Sequence, residues 1–122
     1  MSRVVLTKDE RQDFFKNFID AIDYSYAKKL LPDFLIDFFS ETELDSFIKR
    51  LEVFKRLHAG HSYAKLNQDL SVSPITASKV SRALKDSGEN FRQVLNELSS
   101  PVESVKEPQK QEKNSKRETY LR

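Results

Sequence analysis

Cysteine is absent from this 122-residue chain, and glycine and proline are scarce, at two and four residues. Without cysteine there is no disulfide framework, no thiol nucleophile and no thiolate metal site, and a reducing compartment suits the chain. So little glycine and proline leaves few breaks for many short strands, and points instead to long uninterrupted helices. Long apolar runs are missing too. None approaches the about 18 residues of a membrane span, and the opening segment MSRVVLTKDER holds no apolar signal core, so a cytoplasmic location is expected. Glycine-rich phosphate loops, zinc-finger spacings and nucleophile elbows are also absent, so no enzyme and no cofactor are expected.

What is present is 38% hydrophobic and 33% charged residues, a balance that suits one soluble domain with a modest core and a tail to spare. The net charge of +2 conceals an asymmetry. Residues 1–48 carry six basic side chains against ten acidic ones, a balance of −4, whereas residues 49–92 carry nine against four, a balance of +5. A basic second half suggests a nucleic-acid face, although a solvated basic helix surface gives the same count.

Helical spacing organises the chain. Thr7 and Glu10 have the spacing of a capping box, and Phe14, Phe15, Phe18, Ile19, Ile22 and Tyr26 then recur as one apolar stripe, predicting a helix over 8–30. Pro32 belongs in the first turn of a short second helix. Ser40 and Glu43 form a second capping box before a third helix, which ends at Ala59 with Gly60 beyond. Ser62 caps a fourth helix from Tyr63 to Leu70; Ser71-Val72-Ser73 is a tight turn; and Ser73-Pro74 opens a fifth helix to about Lys85. Phe91, Val94, Leu95 and Leu98 mark a sixth. Residues 100–122 are too polar to bury much surface, and the expectation there is a disordered charged tail that is either inert or a weak DNA arm.

Residues 62–85 therefore read as a helix-turn-helix. The expected packing residues are Ala64, Leu66, Leu70, Val72, Ile75 and Leu84. The second helix begins with short side chains that let base edges approach: Ser73, Pro74, Thr76, Ala77 and Ser78, followed by Lys79. Tyr63, Lys65, Arg82 and Lys85 are the expected phosphate contacts. A chain so rich in phenylalanine in its first helices is better read as a homodimer than as a self-contained core, because such motifs commonly pair across two half-sites.

These residues carry a resemblance. The stretch from Phe47 to Leu84, FIKRLEVFKRLHAGHSYAKLNQDLSVSPITASKVSRAL, resembles the Trp repressor family, within a frame running from about residue 10 to 98. Its most specific part is Arg50-Leu51-Glu52-Val53, then Leu57, Gly60, Ser62, Leu70, Ser73, Thr76, Ser78, Lys79 and Leu84. The resemblance implies an all-α, six-helix, intertwined homodimer over residues 1–99 that binds operator duplex DNA near Ser73 to Lys79, as a transcriptional regulator and in most cases a repressor. It also implies a ligand pocket of four positions, three of which are altered here. Arg50 matches the family's first pocket arginine, but Lys79 replaces the second, Val80 stands where glycine would be, and Ala83 replaces a serine. A valine there crowds an indole ring and a lysine lacks the planar fork of arginine, so tryptophan is not the expected corepressor, and no other effector is named.

Two weaker signals are discounted. Ser62 to Lys65 matches an S-x-x-K pattern, yet the partner motifs are missing and Ser62 has a role as a helix cap. His58 and His61 lack a third metal ligand. The rival to DNA binding is a helical interaction or assembly module whose basic face meets an acidic protein.

Overall fold

Thr7 and Glu10 exchange hydrogen bonds, the Thr7 amide donating to the Glu10 carboxylate at 3.0 Å and the Glu10 amide to Thr7 Oγ1 at 3.1 Å. This capping box starts the first helix of a computed structural model that describes residues 5–98 and 116–121. Among the described residues there are seven helices and no strands: α1 (Lys8–Ala27), α2 (Leu31–Phe38), α3 (Glu41–His58), α4 (Tyr63–Leu70), α5 (Pro74–Asp86), α6 (Glu89–Leu98) and α7 (Lys116–Tyr120). The all-α expectation holds. None of these helices is long and apolar enough to cross a membrane.

Two departures from the sequence expectation have clear physical causes. Helix α1 stops at Ala27 rather than residue 30, because Lys29 enters the left-handed region at φ 61° and the Leu30 amide bonds back to the Ser25 carbonyl at 2.7 Å. The chain can then turn into α2, whose first turn contains Pro32 as its fixed φ favours. The second departure is α7, a seventh helix where a disordered tail was expected. Its composition is polar, but its cations meet a matching acidic helix, described below. The expectation for residues 99–115 and 122 lies outside the described residues.

The helices divide into two compact units, one of α1, α2 and α7, the other of α4, α5, α6 and α3 from Asp45 onward. In the first unit, phenylalanine rings join α1 to α2: Phe18 meets Phe38 with centroids 5.6 Å apart, and Phe34 stacks on Phe38 at 5.4 Å. Ile36 and Leu44 are buried there, but Phe14, Phe15 and Tyr26 stay exposed. In the second unit Val53, Phe54, Leu66, Val72, Ala77, Val80 and Leu95 form a continuous buried cluster drawn from α3, α4, α5, α6 and the turn before α5. Phe91 of α6 closes on Phe54 edge-to-face at 5.0 Å.

Candidate nucleic-acid interface

Helices α4 and α5 are each started by a serine. Ser62 Oγ accepts from the Lys65 amide at 3.1 Å, and Ser73 Oγ accepts from the Thr76 amide at 3.2 Å. Such caps satisfy amides that a helix N-terminus otherwise leaves open. Between them, Ser71 takes a left-handed conformation at φ 55°, and the Asn67 side chain donates to the Val72 carbonyl at 3.1 Å. The turn is thereby held from both sides. Leu66 and Val72 are buried beneath it, and Leu70 and Leu84 pack against the same cluster.

Charge fixes the approach of α3 to α4. Arg56 Nε donates to Glu52 at 2.7 Å and its Nη1 reaches Asp69 at 3.4 Å, while Lys65 pairs with Asp69 at 3.3 Å and Lys55 with Glu52 at 3.2 Å. Partial burial pushes the Glu52 carboxyl up, but hydrogen bonds from Arg56 and Lys55, with their charges, outweigh it and hold the group below its ordinary value. Arg92 finishes the frame by donating to the Lys85 carbonyl at 3.0 Å, at the C-terminal end of α5. His58 shares a 2.7 Å hydrogen bond with Asn96, linking α3 to α6.

At 100° per residue, Ala77, Val80 and Leu84 share the inner side of α5, and Ile75, Ser78, Lys79, Arg82 and Asp86 share the outer side. The structure follows this arithmetic. Ala77 is fully buried and Val80 nearly so, whereas Ile75 is 71% exposed. Pro74, Ile75, Ser78, Lys79, Arg82, Ala83 and Asp86 line one open groove of about 660 Å³.

This corrects the sequence reading at three residues. Ala77, expected at the base edges, is in the core, because it lies one turn before Val80 on the inner side and cannot meet a ligand without unfolding α5. Ile75, expected in the core, is on the outer surface, almost opposite Ala77. Ala64, also expected to pack inward, is exposed. Ile75 is the candidate contact that reading by residue type missed, and counting the helical angle from the buried positions would have found it.

The other expected site residues divide by availability. Pro74, Ser78, Lys79 and Arg82 are exposed on the outer groove, and Lys85 is exposed beside them. Ser73 is engaged as a cap, its hydroxyl also donating to Thr76 Oγ1 at 3.0 Å, which leaves the Thr76 proton to donate elsewhere. Tyr63 is exposed at the start of α4, and Lys65 is exposed but ion-paired with Asp69.

The four positions of this altered pocket do not converge. Arg50 and Val80 line a second groove of about 430 Å³, together with Ser46, Phe47, Lys49 and Thr76, and Arg50 lies over the Phe54 ring at 5.5 Å. Lys79 and Ala83 line the outer groove instead. One residue along a helix is a turn of about 100°, enough to carry Lys79 away from Val80.

Neither the curated proteins nor the solved structures contain a match to the chain. The family model described as Trp repressor protein matches residues 13–99, a span that holds the whole helix-turn-helix and its supporting helices, and the chain belongs to that family.

Proposed function

We propose that the protein is a sequence-specific DNA-binding transcriptional regulator, acting as a cytoplasmic homodimeric repressor that reads the major groove with α5 and does not respond to tryptophan. The observation that carries this reading is the outer side of α5. It presents Ile75, Ser78, Lys79 and Arg82 on a helix seated on its own core, started by a capped turn and supported by membership of a helix-turn-helix family. Lys79 and Ser78 supply hydrogen-bonding groups to base edges, Ile75 supplies an apolar contact for a thymine methyl, and Arg82, Lys85, Lys65 and Tyr63 supply backbone contacts. Thr76 and Pro74 complete the entry to the groove.

Homodimerisation is supported by apolar surface left exposed among the described residues, with Phe14 and Phe15 on α1 and Ile48 and Leu51 on α3. Insensitivity to tryptophan is supported by Val80, whose branched side chain stands beside Arg50 in the second groove and takes space that an indole needs. Calorimetric titration with tryptophan is expected to show no binding at micromolar concentration.

Selection from random duplex DNA, with wild type and Lys79→Ala in parallel, tests the function. Enrichment of a near-palindromic site by the wild type, blurred or lost in the variant, is the expected outcome. No enrichment at low salt would exclude DNA reading and leave an acidic protein as the partner of the basic face.

A further inference from the structure

Helix α2 has no basic residue in its own last turn, so the carbonyls at its C-terminal end lack a cation from within the helix. Lys116 of α7 supplies one, its Nζ donating to the carbonyls of Ile36 and Phe39. The neighbouring Arg117 spreads its fork over two carboxylates one turn apart, Nη1 to Asp33 and Nη2 to Asp37 at 2.6 Å. Tyr120 then donates its hydroxyl to the Glu41 carbonyl at 3.1 Å. A five-residue helix does not hold itself together in water, so α7 owes its order to this docking.

We propose that residues 116–121 are a reversible electrostatic latch, seated in cis on the acidic outer face of α2. The face fits a short basic peptide ending in an aromatic residue: a lysine for the helix-end carbonyls, an arginine for the carboxylate pair, a tyrosine for the start of α3. The occupant is this chain's own C-terminal segment, which lies beyond the residues matched by the family model and carries cations toward the half of the chain with excess acid. The Arg117 pairs are exposed to solvent, so each is weak and screened by salt, and the latch opens as ionic strength rises. Docked, Lys116 and Arg117 are committed to α2 and are not free to contact DNA.

Nitrogen-15 relaxation on the full chain tests this. At low salt the backbone of residues 118–121 is expected to be as ordered as α2, and to lose that order at about 1 M salt, where the Debye length falls to about 3 Å. Arg117→Glu is expected to abolish the order at low salt, and combining it with Asp33→Lys and Asp37→Lys to restore it. Equal tail mobility in wild type and Arg117→Glu would overturn the latch. A labelled Arg117→Glu chain co-refolded with an unlabelled Asp33→Lys, Asp37→Lys chain separates cis from trans. Under the proposal its tail stays mobile, whereas a tail ordered by the partner would overturn docking in cis.

Discussion

The two compact units differ in how completely they bury their apolar side chains, although both leave some exposed, such as Ile48 and Leu51 in one and Phe14 and Phe15 in the other. In the unit of α3 to α6, seven residues from Val53 to Leu95 close into a buried cluster, and the exposed side of α5 is dominated by short, basic and hydroxylated side chains. In the unit of α1, α2 and α7, the buried residues among those described are Ile36, Leu44 and the small Ser25, while Phe14, Phe15 and Tyr26 keep 51, 64 and 74% of their surface in water. The first arrangement is what a reading head needs, because a helix must be rigid to bring side chains to base edges. The second is what an association surface needs, because exposed aromatic area has value only once a partner covers it.

The largest expected effect probes the closed core. Leu66→Ala removes a fully buried side chain between α4 and its neighbours and is expected to cost about 2–5 kcal/mol in denaturant unfolding. A cost below about 1 kcal/mol would mean that this unit is not the packed body described. Phe15→Glu probes the open surface. It is expected to weaken self-association by about 10–100-fold in sedimentation equilibrium, as the loss of one buried aromatic implies. Unchanged association would remove the contrast between the units.

A third substitution divides reading from packing within α5. Ile75→Ser is expected to change stability by no more than about 0.5 kcal/mol, as for an exposed side chain, and yet to weaken binding to the selected duplex about tenfold. A large stability loss would return Ile75 to the core. The smallest effect concerns the frame that holds α4. Glu52→Gln is expected to cost about 0.5–1 kcal/mol at neutral pH, since the carboxylate and its partners are partly open to solvent. The folded-state pKa of Glu52 lies below its unfolded value, so its contribution is present above the unfolded pKa and is lost as pH falls through the folded one. Wild-type and variant stabilities should therefore converge in acid, and a pH-independent difference would contradict the ion-pair account.

The sequence makes α3 to α5 legible because their ends are written in local chemistry. Ser40 with Glu43, Ser62, and Ser73 before Pro74 each cap a helix within three residues, and the structure shows all of these hydrogen bonds. Which side of α5 faces inward is less legible. Alanine is small enough for a base edge and apolar enough for a core, and isoleucine reads as core by type, so Ala77 and Ile75 exchange roles until the helical angle is counted from Val80 and Leu84. Helix α7 is illegible from local signals. Lys116 and Arg117 owe their order to Asp33, Asp37 and backbone carbonyls about 80 positions earlier, and no window of the tail contains those groups.

The most direct test of the central claim, that the outer side of α5 is a DNA-reading surface, is the salt dependence of duplex affinity for wild type beside Arg82→Ala. The account predicts that log affinity falls with log salt with a slope of several negative units for a dimer, and that losing one phosphate contact per subunit makes the slope shallower by about two. A flat slope for the wild type, or an identical slope for the variant with affinity intact, would contradict it.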